Sequence, residues 1–337
     1  MNFMSLFLLP LNNLLKFISK LNEEIAIFYP TLENSKTHLV RFDKDKEFKP
    51  NFTKIRTAEN IKHFFFPVRS AVAKFPEDLT RSPKKCCLFG VKACDLTGID
   101  IYDRVFLNWP PEDPLYKGTR ENTIIISADC PEPESSCFCN LVGVAPYGEK
   151  VCDINFTVLS SGLLLEIFTK KGETIIKTMN GLLKELSPGE LKEREKIRKE
   201  AVKKLQKANE KPLKTDLPMC IEKTDKKTIH CMRNECIECF SCLYACPTCY
   251  CFLLCDYKRN EGISRIRNWD ACYYSAFARV GGGANPRSKM DERFWNRFQC
   301  KFNFFTQYEK IYACSGCGRC YLGCSAKIDI REILWKL

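Results

Sequence analysis

The sequence predicts a mixed fold, between α/β and α+β. An N-terminal α/β domain is followed by a cysteine-rich domain in which a long insert separates two copies of one motif. Three observations carry this. Short, continuous apolar runs alternate with helically spaced segments up to about residue 180, the pattern of strands buried in a parallel sheet. A strongly charged stretch follows. Beyond it, many of the 22 cysteines of the 337-residue chain crowd into two copies of one four-cysteine pattern. The expected domains are 1–180, a charged helical linker at 181–219, and 220–337.

In order, residues 1–15 hold an apolar stretch (Phe3, Met4, Leu6, Phe7, Leu8, Leu9). It has no basic residues ahead of it, Pro10 interrupts it, and no small-residue cleavage site follows, so it is not a signal peptide. Lys16 and Lys20 with Leu14, Leu15, Phe17 and Ile18 predict an amphipathic helix. Residues 22–30 predict a first strand, with a polar segment to Lys54 after it. His63-Phe64-Phe65-Phe66-Pro67 is expected to pack under a loop. Cys86–Val91 predicts a buried parallel strand, Asp95–Phe106 a helix through Leu96, Ile99, Ile101 and Val105, and Thr123–Cys130 a second buried strand. Residues 156–168 and 173–178 read as paired strands. Residues 182–212 read as a solvated helix with a thin stripe of Leu183, Leu186, Leu191, Ile197, Val202 and Leu205.

The chemistry lies in Cys236-x2-Cys239-x2-Cys242-x3-Cys246-Pro247 and in Cys314-x2-Cys317-x2-Cys320-x3-Cys324. Three thiolates at this spacing in a looping backbone reach adjacent irons of one cubane, and the fourth, leading into a helix, points to the other cluster. The pairing is therefore expected to cross. One [4Fe–4S] takes Cys236, Cys239, Cys242 and Cys324; the other takes Cys314, Cys317, Cys320 and Cys246. Zinc knuckles use a C-x2-C and a distant pair, and a disulfide framework belongs to a secreted chain, so neither accounts for the doublet. Ser325 stands where a proline follows the fourth cysteine of the first copy.

The formal net charge is +12. Such a balance raises the question of nucleic acid, but thiolate-held clusters carry negative charge and offset part of it. So many reduced thiols imply a reducing, cytoplasmic location. No run reaches the ~18 apolar residues of a membrane span. There is no G-x-G-x-x-G or G-x4-G-K-[ST] loop. His38, His63 and His230 are the three histidines, and no nucleophile has an evident base beside it, so no catalytic residue is assigned.

Two further cysteine sets stand out. Cys94 follows one predicted parallel strand and Cys130 ends another, so both fall at the sheet edge where ligands bind. The Cys137-x-Cys139 loop brings two more thiols there, making a third [4Fe–4S] site. The 67 residues between Cys246 and Cys314 hold Cys249, Cys251, Cys272 and Cys300, a candidate fourth. Cys86, Cys87, Cys152, Cys220, Cys231 and Cys255 show no ligand spacing. From Lys258 to Lys301 there are ten Lys or Arg against four Asp or Glu. Arg265, Arg267, Arg287, Arg293 and Arg297 among Trp269, Phe294, Trp295 and Phe298 read as interface chemistry; screening of cluster charge and nucleic-acid binding are the other two readings of this insert.

Phe89-Gly-Val-Lys-Ala-Cys94-Asp95, the block from Ile124 through Cys130 to Cys137-Phe-Cys139-Asn-Leu, Cys246-Pro-Thr-Cys249-Tyr-Cys251, Trp269-Asp270-x-Cys272 and Cys317-Gly-Arg-Cys320 together carry a resemblance over nearly the whole chain. It resembles the iron–sulfur beta subunit of soluble hydrogenase/sulfur reductases (sulfhydrogenases) and, more distantly, the 4Fe–4S dicluster subunit of anaerobic sulfite reductase. The resemblance implies a ferredoxin-like dicluster domain in an electron relay. Its partners would be a flavin-containing, NAD(P)H-reactive subunit and a hydrogenase or sulfur/sulfite reductase catalytic subunit. Two other readings stand beside the relay: a subunit that binds substrate at an open-iron N-terminal cluster, and a zinc-bearing, basic nucleic-acid-binding protein.

Overall fold

The computed structural model describes residues 5–76, 84–259 and 262–337; Phe3 and Met4 lie outside them. The chain forms two compact units, one of residues 1–60 and 82–210, the other of 61–81 and 211–337. The strands, in chain order, are β1 (Leu6–Pro10), β2 (Ala26–Glu33), β3 (Lys36–Arg41), β4 (Arg69–Phe75), β5 (Cys86–Val91), β6 (Thr123–Ala128), β7 (Ile154–Val158), β8 (Gly162–Ile167), β9 (Phe252–Arg259) and β10 (Gly262–Trp269).

The first unit is built on a seven-stranded sheet in the order β1-β8-β7-β6-β5-β2-β3. Its centre is parallel: β2 with β5, β5 with β6, and β6 with β7. Antiparallel strands close both sides. The continuous apolar runs of β5 and β6 are buried on both faces, as a central parallel sheet requires. Phe52, Phe89 and Phe156 meet on one face with ring centroids 5.0–5.4 Å apart. Burying each ring contributes about 1.5–3 kcal/mol. At Gly90 the ladder slips and φ is +82°. A Cβ there would lie 2.8 Å from the Phe52 ring, so only glycine lets that ring close over β5.

The structure corrects several expected elements. The amphipathic helix expected through Leu14–Lys20 is present as Leu11–Asn22, whereas the apolar stretch before Pro10, for which no element was expected, is the edge strand β1. The strand expected at 22–30 is the second, and the polar segment after it holds β3, an edge strand with mixed burial. His63–Phe65 lie in one helical turn, with Phe65 and Phe66 buried. The single strand expected at 156–168, paired with 173–178, is instead two strands, β7 and β8, paired antiparallel with each other. Residues 173–178 are helical within Lys170–Thr178, whose start is capped by the Thr169 hydroxyl accepting from Gly172 N–H.

The charged helix, Pro188–Ala208, belongs to the first unit and is not a free linker. Leu186, Leu191 and Ile197 pack on Leu8, Leu159 and Leu164, and Leu205 is fully buried against Cys137 and Cys139. The helix is also held by charge: Arg198 bridges Asp129 at 2.8 Å and also pairs with Glu166, while Arg194 meets Glu166 at 2.9 Å.

The second unit holds the antiparallel sheet β4-β10-β9, helices at Leu217–Lys223, Lys226–Arg233, Met290–Phe298 and Ile330–Lys336, and the two cysteine motifs in largely irregular backbone. Phe294, Trp295, Phe298, Phe302 and Phe305 are buried in it. The segment expected to begin at 220 thus takes in β4, from far earlier in the sequence.

Candidate metal centres

The two four-cysteine motifs share one backbone. In the first, Glu238 and Phe240 flank Cys239 at φ +57° and +59°; in the second, Gly316 and Gly318 flank Cys317 at +62° and +71°. Alternating left-handed residues curl each loop so that its three thiols face inward. Glycine does this freely, whereas Glu238 and Phe240 each cost about 1–3 kcal/mol, strain of the kind found at ligand clamps. A short helical turn follows each loop, at Ser241–Tyr244 and Arg319–Leu322, and places the fourth cysteine beyond it.

Cys236, Cys239, Cys242 and Cys324 line one cavity, with Phe240, Tyr273, Phe294 and Arg297 in its wall. Cys320 reaches the same wall. Cys246 instead lies within electrostatic reach of Cys314 and Cys320, and Cys317 is beside Cys320. Cys324 thus lines the cavity of the first motif's three leading thiols, and Cys246 lies near Cys314 and Cys320 of the second. Backbone N–H groups donate to sulfur: Gly316 to Cys314 Sγ and Ile328 to Cys324 Sγ, both at 3.5 Å. The exposed Cys239 thiol is held below its ordinary range chiefly by the Ser241 N–H. Burial pushes Cys242 up to about 11 and Cys314 up to about 12. Such thiols give up their protons when a bound metal supplies the compensating charge.

Three buried cations surround these thiols. Arg297 lies near Cys242, Cys320 and Cys246, between the two sets, and their charge holds it ionised against burial. Lys301 Nζ donates to Thr248 Oγ1 at 2.6 Å and to Ala313 O at 3.0 Å; Cys246 Sγ sits 3.2 Å from the same Thr248 hydroxyl. Lys62 donates to Cys246 O at 3.2 Å and stands 3.9 Å over the Trp269 ring. Burying a lone cation is costly. A negatively charged centre among the thiols explains why three are here.

This overturns the interface reading for much of the insert. Arg267, Arg293, Arg297, Phe294, Trp295 and Phe298 are buried. The helix Met290–Phe298 turns its i, i+4 and i+8 positions inward, and Arg297 finds thiols as its partners. Screening of charge is the reading Arg297 fits, whereas Arg293 donates to the carbonyls of Tyr273, Arg287 and Ser288.

In the first unit, Cys130, Cys137 and Cys139 are mutual neighbours, and Cys94 and Cys130 flank Lys92. Cys94 lies in the first turn of the helix Ala93–Asp103, so both cysteines stand at the C-terminal ends of adjacent parallel strands. Lys92 Nζ is buried and donates to Phe52 O at 2.5 Å and Asp129 O at 2.7 Å. Asn209, at the end of the charged helix, donates to Cys137 O at 2.9 Å. Burial pushes Cys130 up to about 11 and Cys139 up to about 12.

The remaining set divides. Cys251, Cys272 and Cys300 are mutual neighbours. Cys249 instead hydrogen-bonds Cys246, whose thiolate this bond and Lys301 hold well below the ordinary range.

Among the described residues no three His, Cys, Asp or Glu converge tightly enough to hold a single ion. A four-iron cubane makes a different demand, since its own irons and sulfides separate the ligand thiols. An all-thiol donor set, spread around a gap and ringed by buried cations, fits a cluster of that kind.

Arg297 was visible in the sequence as one basic residue among many. Lys62, Lys92 and Lys301 carried no spacing that marked them; the fold alone brings them to the thiols.

The paired loops define a [4Fe–4S] dicluster protein, and a family model for the 4Fe-4S dicluster domain matches residues 235–328. Over 325 residues the chain is 30% identical to Sulfhydrogenase 2 subunit beta of Pyrococcus furiosus, covering 95% of this chain and 94% of that protein. The chain belongs to the family of sulfhydrogenase beta subunits. No helix among the described residues is long and apolar enough to cross a membrane.

Proposed function

We propose that this chain is the electron-relay subunit of a cytoplasmic, multi-subunit oxidoreductase, working between a flavin-containing, NAD(P)H-reactive subunit and a hydrogenase or sulfur/sulfite-reducing subunit. The observation that supports this is the pair of matching loops, with Cys324 in the cavity of Cys236, Cys239 and Cys242 and Cys246 near Cys314 and Cys320. Cys236, Cys239, Cys242 and Cys324 would hold one [4Fe–4S], and Cys314, Cys317, Cys320 and Cys246 the next. Cys94, Cys130, Cys137 and Cys139 would hold another in the first unit, and Cys251, Cys272 and Cys300 of the insert a fourth. Bound clusters of this type supply one-electron redox steps, which lets a chain split the electron pair of a hydride.

The residues do the rest. Arg297 sits beside both ferredoxin-type sets, and Lys301 and Lys62 stand at Cys246. Their charge favours the reduced, more negative form of each centre. The Gly316 and Ile328 N–H groups bias the thiolates the same way. The N-terminal set offers four thiols and so no open iron, which favours the relay over substrate binding there.

Iron, acid-labile sulfide and zinc per chain, measured on anaerobically purified protein, test this. The expected result is about sixteen irons. About twelve removes the set of Cys251, Cys272 and Cys300, about eight removes the N-terminal set as well, and zinc in place of iron overturns the relay.

A further inference from the structure

We infer that Cys251, Cys272 and Cys300 hold an iron–sulfur cluster with three protein thiolates, so that its fourth iron is labile and open to exchange. The inference deepens the relay reading and rests on the chain's carrying clusters at all. A four-cysteine centre in the insert would need Cys249, which the structure commits elsewhere. Cys249 hydrogen-bonds Cys246, and Lys301 and Lys62 stand near it. Cys246 is at the same time beside Thr248, at 3.2 Å. The other three thiols come from three separate elements. Cys251 directly precedes β9, Cys272 follows β10, and Cys300 lies on the wide turn Gln299–Phe304 that continues the helix Met290–Phe298.

That turn is π-helical. Such turns insert a residue into a helix and recur at functional sites. Here it carries two consecutive residues of the site: Cys300, with the Tyr250 hydroxyl 3.9 Å from its sulfur, and Lys301, which is buried and lies near Cys300 as well as Cys246 and Cys314. One ammonium thus serves the three-thiol set and the adjacent dicluster site. Asp270, whose N–H donates to Cys251 O at 3.0 Å, is the acidic group near Cys251. A carboxylate oxygen is a harder donor than a thiolate and holds iron less firmly in a sulfur-rich site. The fourth iron is therefore the weakly held one whether that carboxylate or a small external ligand, such as a thiolate or sulfide, completes it.

Lability has a defined readout. Ferricyanide takes one electron from a [4Fe–4S]2+ centre to give the 3+ state. Loss of Fe2+ from its fourth position then leaves [3Fe–4S]+, with charge balanced. Full-length, iron-loaded protein should give a three-iron EPR signal of about one spin per chain and release about one Fe2+. The signal should persist in Cys249→Ala and vanish in Cys251→Ala and Cys300→Ser. Each of these last two should also carry about four irons fewer while the eight of the dicluster pair remain. Cys300 is only partly buried, so its serine variant guards against misfolding of the others. Loss of the signal in Cys249→Ala, or a signal indifferent to Cys251 and Cys300, overturns the inference. Absence of all cluster iron would instead be the failure of the relay reading.

Discussion

The two thiol-rich regions share a device and differ in what supports it. In each, one buried lysine donates to two oxygens beside the thiols: Lys92 to Phe52 O and Asp129 O, Lys301 to Thr248 Oγ1 and Ala313 O. In the first unit the thiols hang from a finished scaffold, the ends of β5 and β6 over a phenylalanine-rich core. In the second, the two motif loops have only four-residue helical turns of their own, and Glu238 and Phe240 are held in strained backbone. The first region is a fold that offers a site. In the second, the site and the local fold are one object, as in small metal-dependent domains.

The largest expected effect follows from that difference. Removing iron with a chelator under reducing conditions should deprotect the amides of 236–250 and 314–328 in hydrogen exchange, while β5, β6 and β7 keep their protection. Loss of protection in both regions alike would show that the first unit too depends on metal.

A second, smaller effect should fall on the first unit alone. Arg198→Ala leaves Asp129 buried without its cation, while Glu166 keeps Arg194. Breaking a buried pair in this way costs about 3–5 kcal/mol. Denaturant unfolding of that unit should show this loss, and the iron held by Cys236–Cys246 and Cys314–Cys324 should not change. Smaller still, Ser187→Ala removes the hydroxyl that accepts from Glu190 N–H at the start of the same helix. The expected loss is about 1 kcal/mol, read in the same experiment. A helix that served only as a free linker would show neither.

What could be read from the sequence divides along the same line. The dicluster motifs were legible because cubane ligation fixes residue type and spacing together. The strands β5 and β6 were legible because a doubly buried strand must be continuously apolar. The edge strands were not. β1 carries no strand signature because its residues are apolar without alternation, and β3 looks like loop because its sequence, Lys-Thr-His-Leu-Val-Arg, is largely polar. Residues 173–178 are β-branched at Thr174, Ile175 and Ile176 and read as strand, yet the Thr169 cap and packing of Ile175 and Ile176 win. The charged helix read as solvated because its partners Asp129 and Glu166 sit on other elements. Lys62, Lys92 and Lys301 were invisible for the same reason: a buried charge is defined by what the fold brings to it.

The short excursion through β4 bears on how this chain can be divided. Residues 61–76 leave the first unit's sequence, supply β4 and Lys62 to the second, and the chain then returns to build β5. A gene cut after residue 210 would therefore yield no clean pair of modules. The downstream product would lack the strand that pairs with β10 from Ile263 to Asn268 and the ammonium that rests on Trp269 and Cys246 O. Transplanting the dicluster region into another protein would need both pieces of the sequence, rejoined. In modular terms the N-terminal unit is punctuated by part of its neighbour, so the two are best expressed and engineered as a single cassette.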